Sequence, residues 1–142
     1  MLQAMLATPI NWLAVLAAGI STMVVGYVWY GPLFAKAWSA LTGWTEEKVR
    51  ALGSASMARQ YGFTFLLALF MSFVMAHLLK AVGAESLVDG ALTGLIVGLG
   101  FVATSFGTVY LFERQSPKLY GINVGYQLVI MVVVAIILTA WK

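Results

Sequence analysis

An amide pair in the last apolar segment of this sequence has side chains that could do chemistry. Asn123 and Gln127 are four residues apart and Tyr126 lies between them, so the three side chains share one face of a helix. Amides and phenols donate and accept hydrogen bonds, which suits them to water, an ion or a small polar solute. In hydrocarbon, such a group is costly unless it finds a partner. The pattern predicts that this face points into a helix bundle or toward another subunit.

A set of hydroxyl side chains precedes this pair. Thr104, Ser105 and Thr108 lie within little more than one helical turn, so they share a broad face of their own helix. One interpretation is that each hydroxyl bonds the carbonyl four residues earlier. The other is that this face meets that of Asn123 and Gln127, because the two segments form a hairpin. The two faces together would then line a polar path.

Ionisable side chains are few in the apolar segments. Glu113 and Arg114 stand where the third segment ends. One interpretation is that the two residues form an interfacial charge pair. The other is that Glu113 gates the path or relays protons. His77 stands near Lys80 at the end of the second segment, as an interfacial or a proton-sensitive residue.

The sequence lacks the residue types and motifs that common enzymes and metal sites use. The chain has no cysteine and one histidine, which excludes thiolate catalysis and a site built of several Cys or His ligands. It has no phosphate-binding loop, serine-hydrolase elbow or zinc-protease motif. We therefore expect no enzyme, no metal and no cofactor.

The composition indicates the solvent of this chain. Apolar residues make up 62% and charged residues 9%, whereas soluble domains carry about 25% charged residues. A surface of this kind faces lipid, and 142 residues allow about four spans of roughly 20 residues each. The formal net charge of +3 does not indicate nucleic acid, because the basic residues form no stripe. The lipid bilayer is the expected partner.

Four long apolar segments predict the architecture. They cover residues about 9–30, 58–80, 86–112 and 117–141. Thr8 and Pro9 are expected to start the first helix and Pro32 to end it, while Ser86 and Asp89 form a capping-box pattern. Residues about 32–52 are expected to form short interfacial and surface helices. The prediction is one transmembrane domain over 1–142, an all-α integral membrane four-helix bundle with a short interfacial helix in the first loop.

Lysine and arginine are unequally distributed between the two ends of the predicted bundle. The first and third loops hold six and the opposite end holds two: Lys36, Lys48, Arg50, Arg59, Arg114 and Lys118 against Lys80 and Lys142. The positive-inside rule then predicts cytoplasmic loops, with both termini outside the cytoplasm.

Glycines recur at helical spacing in two segments. Gly90, Gly94 and Gly98 share one face of the third, and Gly121 and Gly125 share one face of the fourth. Small residues let membrane helices approach closely. These faces predict tight packing, either within one bundle or between copies in a homo-oligomer.

Two motifs carry a family resemblance. The first, WYGPLFAKAW, follows the first span and contains Trp29, Tyr30, Pro32, Lys36 and Trp38. The second crosses the last loop and contains Glu113, Asn123, Gly125 and Tyr126. With both, nearly the whole chain resembles the bacterial membrane family DUF1761, a domain of unknown function. The resemblance implies a small four-span protein of the bacterial inner membrane and no particular activity.

The leading expectation is a homo-oligomer that passes a small solute or ion through a polar path. Its lining would be Thr104, Ser105, Thr108, Glu113, Arg114, Asn123, Tyr126 and Gln127. The loop motif would anchor the first loop beneath this path, through Trp29, Tyr30, Lys36 and Trp38. The alternative is a non-catalytic accessory or assembly subunit that binds lipid or another membrane protein through its glycine faces.

Overall fold

The fold is entirely helical. The computed structural model describes residues 1–142. Four helical stretches are long and apolar enough to cross a membrane: Trp12–Leu33, Ser54–Ala81, Leu87–Phe112 and Pro117–Ala140. We call these the first to fourth spans. The predicted all-α four-helix membrane bundle is confirmed, and its four apolar helices make the chain a multi-pass membrane protein.

The first span starts later than its sequence predicts. A short N-terminal helix, Leu2–Ala7, comes first, and Thr8 donates its hydroxyl to the carbonyl of Ala4 at 2.9 Å. Asn11 is the cap of the span, because its Oδ1 accepts two backbone N–H groups of the first turn at 3.0 and 3.2 Å. The expected start at Thr8 and Pro9 is therefore wrong. A nearer side chain satisfies the free amides of this helix.

The third and fourth spans begin at the caps that their sequences indicate. Ser86 accepts the N–H of Asp89 at 3.1 Å, and the Asp89 carboxylate accepts the N–H of Ser86 at 3.0 Å. Ser116 accepts two N–H groups at 3.1 and 3.4 Å, with Pro117 in the first helical position. The second span differs from expectation, because it begins at Ser54 rather than at residue 58. Each cap satisfies amides that have no partner inside the helix.

The loop between the first and second spans is itself helical. A π-helical turn, Trp29–Leu33, carries the first span past Pro32 instead of ending it there. The turn closes with a bond from the N–H of Phe34 to the carbonyl of Trp29, at 3.0 Å. A bond over five residues bypasses proline, which has no N–H to offer. Two short helices come next, Ala35–Thr42 and Glu46–Ala51.

The fourth span is the centre of the bundle. It packs against each of the other spans, and the first and second spans also pack against each other. Small and branched side chains such as Ala18, Val134 and Ala135 fill the core. The third span rests mainly on the fourth. Only 6% of its apolar stretch is buried, against 28% to 39% in the other spans, so most of its surface faces outward.

Glycines bring the third span against the fourth. A side chain at Gly94 would collide with the backbone carbonyl of Met131, and a Cβ on Gly90 would lie 2.5 Å from the hydroxyl of Thr139. A Cβ on Gly98 would likewise lie 2.7 Å from a methyl group of Leu128 in the fourth span. This glycine face is therefore used for packing within one chain.

Candidate functional site

A chain of hydrogen bonds joins three spans at the end of the bundle that carries the first and third loops, which we call the loop side. Tyr30 donates to Oδ1 of Asn123 at 2.7 Å, and Nδ2 of Asn123 donates to the phenol oxygen of Tyr110 at 2.7 Å. The three residues come from the first, fourth and third spans, and all are half-buried. Both ends of the amide are satisfied in a place where lipid offers no partner. We call Tyr30, Asn123 and Tyr110 the amide network.

Two further bonds tie the first span to the fourth beside this network. Tyr126 donates its hydroxyl to the carbonyl of Thr22 at 3.0 Å, and Nε1 of Trp29 donates to the carbonyl of Ile122 at 2.8 Å. The rings of Tyr126 and Tyr30 meet edge to face, with centroids 5.2 Å apart. The aromatic rings fill the space between the helices while their polar atoms bond the backbone.

Glycines make room for these rings. A Cβ on Gly125 would lie 2.9 Å from the ring of Trp29, and a Cβ on Gly26 would lie 3.3 Å from the hydroxyl of Tyr126. Gly121, which shares a face with Gly125 by spacing, is exposed, and a Cβ added there would have no neighbour within 4 Å. Of this pair, only Gly125 takes part in packing within the chain.

Two π-helical segments border the amide network. One is Trp29–Leu33, and the other is Gly98–Ala103 in the third span. Tyr120 of the fourth span donates to the carbonyl of Ala103 at 2.8 Å. A π-helical turn takes in one extra residue, so it rotates the side chains beyond it relative to a regular helix. Such segments are frequent at functional sites.

The hydroxyl side chains of the third span do not meet Asn123. Thr104, Ser105 and Thr108 are exposed on the outside of the bundle. Their hydroxyls donate to carbonyls three or four residues earlier in the same span, at 2.6 to 3.1 Å. This is the self-bonding arrangement common for such residues in membrane helices. Tyr110 takes the place opposite Asn123 instead.

Gln127 and the charged pair stand apart from the network. Gln127 is half-buried, and its amide makes no hydrogen bond within the chain, in contrast to Asn123. Glu113 and Arg114 are exposed, and the one salt bridge of the chain lies in the first loop instead. Of the predicted lining, only Asn123 and Tyr126 belong to the cluster of hydrogen bonds and aromatic contacts around Tyr30.

The loop motif extends the aromatic cluster toward the loops. Tyr30 meets Trp38 edge to face, with centroids 6.1 Å apart. Trp29 is half-buried against the fourth span, whereas Pro32 and Lys36 are exposed. The two tryptophans therefore hold the start of the loop against the bundle.

His77 lies at the opposite end of the bundle and is only 3% exposed. Its Nδ1 lies 3.0 Å from the carbonyl of Met5. A carbonyl can only accept, so the imidazole donates and carries a proton on Nδ1. Lys80 donates to the carbonyl of Pro9 in the same region. His77 is thus a tether that holds the N-terminal helix against the second span.

Tyr110 and Tyr120 belong to the site although polar spacing along one helix does not reveal them. Their rings meet edge to face at 5.7 Å, and each phenol bonds the neighbouring span. The signal that could have found them is their place on either side of the hairpin turn. Residues at similar distances from such a turn face each other in antiparallel helices, and a phenol in lipid needs a partner as much as an amide does.

A groove opens beside the amide network. We call it the loop-side groove; it encloses about 390 Å³ and is lined by Gly107, Tyr110, Leu111, Arg114, Gln115, Pro117 and Tyr120. A smaller cavity of about 150 Å³ lies at the other end of the bundle, with Lys80, Glu85 and Lys142 in its wall. No three His, Cys, Asp or Glu side chains lie together as metal ligands would. These arrangements offer hydrogen-bonded and ionic binding.

Comparison with known proteins gives one match. The sequence model of the family described as "Protein of unknown function (DUF1761)" matches residues 13–139. No curated protein and no solved structure matches the chain. The matched range contains the amide network, both π-helical segments and the loop-side groove.

Proposed function

The chain belongs to the DUF1761 family, whose function is unknown, and we propose that it works as a homo-oligomer in the bacterial inner membrane. The third spans of neighbouring copies meet, and a small polar solute or ion passes along the surface that they share. The protein is a channel or transporter and not an enzyme. Its partners are bilayer lipid and further copies of itself, with no role for nucleic acid.

One observation supports this proposal above all: small and hydroxylated residues cluster on the outward surface of the third span, in its loop-side half. Toward the termini it carries large exposed aliphatic side chains such as Leu92 and Ile96. Further along it carries what we call the hydroxyl face, which consists of the exposed residues Gly100, Thr104, Ser105 and Thr108, beside exposed apolar side chains such as Phe101 and Leu111. Acyl chains solvate the aliphatic part well, whereas small and hydroxylated residues suit close contact with another helix.

The interior of one copy supports a path between copies rather than through a single bundle. Tyr30, Asn123 and Tyr126 are occupied by hydrogen bonds to one another, to the phenol of Tyr110 or to the backbone. Toward the termini, the core around Val134 and Ala135 is tightly buried and mostly apolar. A path through one copy would need these contacts to open. The hydroxyl face keeps free oxygen lone pairs after bonding its own helix, so it can solvate a polar solute directly.

The orientation follows from the basic residues. The loop side carries six lysines and arginines and the other end two, namely Lys80 and Lys142. We place the loop side in the cytoplasm and both termini outside it.

Cysteine cross-linking tests the interface, since the chain has no cysteine of its own. Thr104→Cys and Thr108→Cys, each in native membranes with a short thiol cross-linker, are expected to give dimers. Leu67→Cys is the matched control, because Leu67 is exposed on the second span. Equal cross-linking at Leu67→Cys, or none at either threonine position, would overturn the interface.

Passage is tested with the purified protein in liposomes. Swelling and ion-flux measurements with small polyols and alkali salts are expected to show transport by the unchanged chain. The double variant Thr104→Leu with Thr108→Leu is expected to lose it, because leucine removes the oxygens from the hydroxyl face. Leu67→Ala serves as the control and retains flux. Undiminished flux in the double variant contradicts a path along this face.

A second candidate function is a non-catalytic accessory or assembly subunit that binds lipid or another membrane protein. The loop-side groove favours it, because Arg114 at that groove has no ion-pair partner. Affinity purification from native membranes separates the two functions. A single stoichiometric partner protein supports the accessory role, and recovery of further copies alone supports the homo-oligomer.

A further inference from the structure

The loop-side groove lies where the third span ends and the fourth begins. Tyr110 and Tyr120 form its aromatic walls, with ring centroids 5.7 Å apart. Gly107 lies beside Tyr120 and leaves the space between the helices open. Arg114 and Gln115 stand at the side of the loop. The groove is thus mostly apolar, with the polar residues Arg114 and Gln115 at its loop end.

Arg114 occupies an unusual backbone position beside this groove. Its φ of 54° makes it the only non-glycine residue of the chain with a positive φ. The N–H of Gln115 bonds the carbonyl of Tyr110 at 3.0 Å, and the N–H of Arg114 bonds that of Leu111 at 3.3 Å. This pair of bonds is a Schellman helix end, where glycine is the usual residue in the left-handed position. An arginine here is held in a disfavoured conformation whose effect is to place a cation at the groove.

The charge of Arg114 is not neutralised within the chain. The only salt bridge joins Arg50 and Glu46 in the first loop, and the guanidinium of Arg114 makes no side-chain hydrogen bond. Glu113 is its neighbour in sequence but is exposed and does not line the groove. The groove therefore presents an unpaired cation to whatever enters it.

A phosphodiester fits these features. A guanidinium binds two phosphate oxygens at once through parallel N–H groups, and the amide of Gln115 offers a further donor. Next to the phosphate, a glycerolipid carries a glycerol backbone and acyl chains, which suit the walls of Tyr110 and Tyr120. We propose that the loop-side groove binds the headgroup of an anionic phospholipid, with Arg114 on its phosphate. Basic pockets between membrane helices are known to take such headgroups.

The test measures lipid that remains bound to the purified full chain. The protein in a neutral detergent is titrated with phosphatidylglycerol, and in parallel with zwitterionic phosphatidylcholine, and native mass spectrometry counts the bound molecules. Phosphatidylglycerol is expected to bind at the lower concentration, because choline offsets the charge that Arg114 attracts. Equal binding of the two lipids overturns the assignment to an anionic headgroup.

Arg114→Gly is the central variant. Glycine is favourable in the left-handed position, so the protein keeps its fold while the guanidinium is lost. The midpoint concentration of phosphatidylglycerol is expected to rise about tenfold. Arg114→Lys keeps the positive charge but loses the paired N–H groups of the guanidinium. Its midpoint concentration is expected to lie between those of the unchanged protein and Arg114→Gly. Lys118→Gln is the matched control: it removes an exposed charge at the same end of the bundle, outside the groove, and leaves binding unchanged. Retained binding in Arg114→Gly, or an equal loss in Lys118→Gln, overturns the site.

Competition with water-soluble anions distinguishes a lipid phosphate from a free phosphate as the ligand of the groove. Inorganic phosphate and glycerol 3-phosphate at millimolar concentration are expected to leave phosphatidylglycerol bound, because they make no contact with the aromatic walls. Release by either anion would identify a free-phosphate site and overturn the lipid assignment. Cross-linking through Thr104→Cys is independent of Arg114, so failure of this proposal is distinguishable from failure of the proposed oligomer.

Discussion

Tyr30 donates its hydroxyl to the side-chain oxygen of Asn123 at 2.7 Å, although 93 residues separate the two in sequence. The bond fastens the end of the first span to the central helix, and the same amide bonds Tyr110 on the third span. Because acyl chains offer no replacement partner, these bonds stabilise the loop side together. The opposite end of the bundle is held mainly by apolar packing around Ala135 and Leu138.

Replacing Asn123 by leucine is expected to lower the free energy of unfolding by about 1–3 kcal/mol. The change leaves the hydroxyl of Tyr30 without an acceptor and the phenol oxygen of Tyr110 without a donor. Gln127→Leu is the control one turn further along, where the amide has no partner to lose, and its effect is expected to be close to zero. Thermal unfolding in detergent measures both. Equal stability of the two variants would show that the amide network is dispensable.

Gly94→Ala is expected to destabilise the bundle by about 1–3 kcal/mol. The added methyl group meets the backbone carbonyl of Met131, which cannot move without shifting the fourth span. Gly62→Ala is the matched control, since a Cβ there has no neighbour within 4 Å. That control is expected to be neutral or slightly stabilising, because alanine favours a helix more than glycine does. Denaturation of both proteins in the same detergent decides the outcome; a harmless Gly94→Ala contradicts the close packing of these two spans.

Asn11→Ala is expected to cost about 1 kcal/mol, the usual effect of losing a helix N-cap. Hydrogen exchange should speed up at the amides of Leu13 and Ala14, which the Asn11 side chain protects in the unchanged protein. Thr8→Ala is the comparison, since Thr8 bonds only the N-terminal helix. If Thr8→Ala exposed the first turn of the span and Asn11→Ala did not, the cap would be misassigned.

His77→Ala is expected to release the N-terminal helix, Leu2–Ala7, from the second span. The variant loses the bond from Nδ1 to the carbonyl of Met5, so hydrogen exchange across Leu2–Ala7 should increase. His77→Asn is expected to restore part of the protection, because its amide N–H can replace Nδ1–H. Tyr61→Ala, at an exposed site of the same span, is the control. Unchanged exchange in His77→Ala would show that the tether has no effect.

Much of this molecule follows from local sequence. A charged fraction of 9% places the chain in lipid, where every backbone group must be bonded within a helix, so four long apolar segments become four spans. The caps at Ser86 and Ser116 were predictable because donor and acceptor lie within one turn. The start of the first span was not, since Thr8 and Asn11 are both good caps. In the structure, Asn11 is the cap, and His77 holds the N-terminal helix against the second span.

The sequence by itself determined the solvent, the number of spans and most helix starts, whereas only the tertiary structure decided which helix faces meet. One of the two interpretations of the spacing set Thr104 and Thr108 against Asn123, but the π-helical segment Gly98–Ala103 takes in an extra residue, and one residue corresponds to a rotation of about 100° about the helix axis. Gly94 then seats the third span on the backbone of Met131, with Tyr110 toward Asn123 and the hydroxyl face outward. The rotation of a helix about its own axis is set by its fit against a neighbour distant in sequence. The spacing of residues along one helix therefore does not predict this rotation.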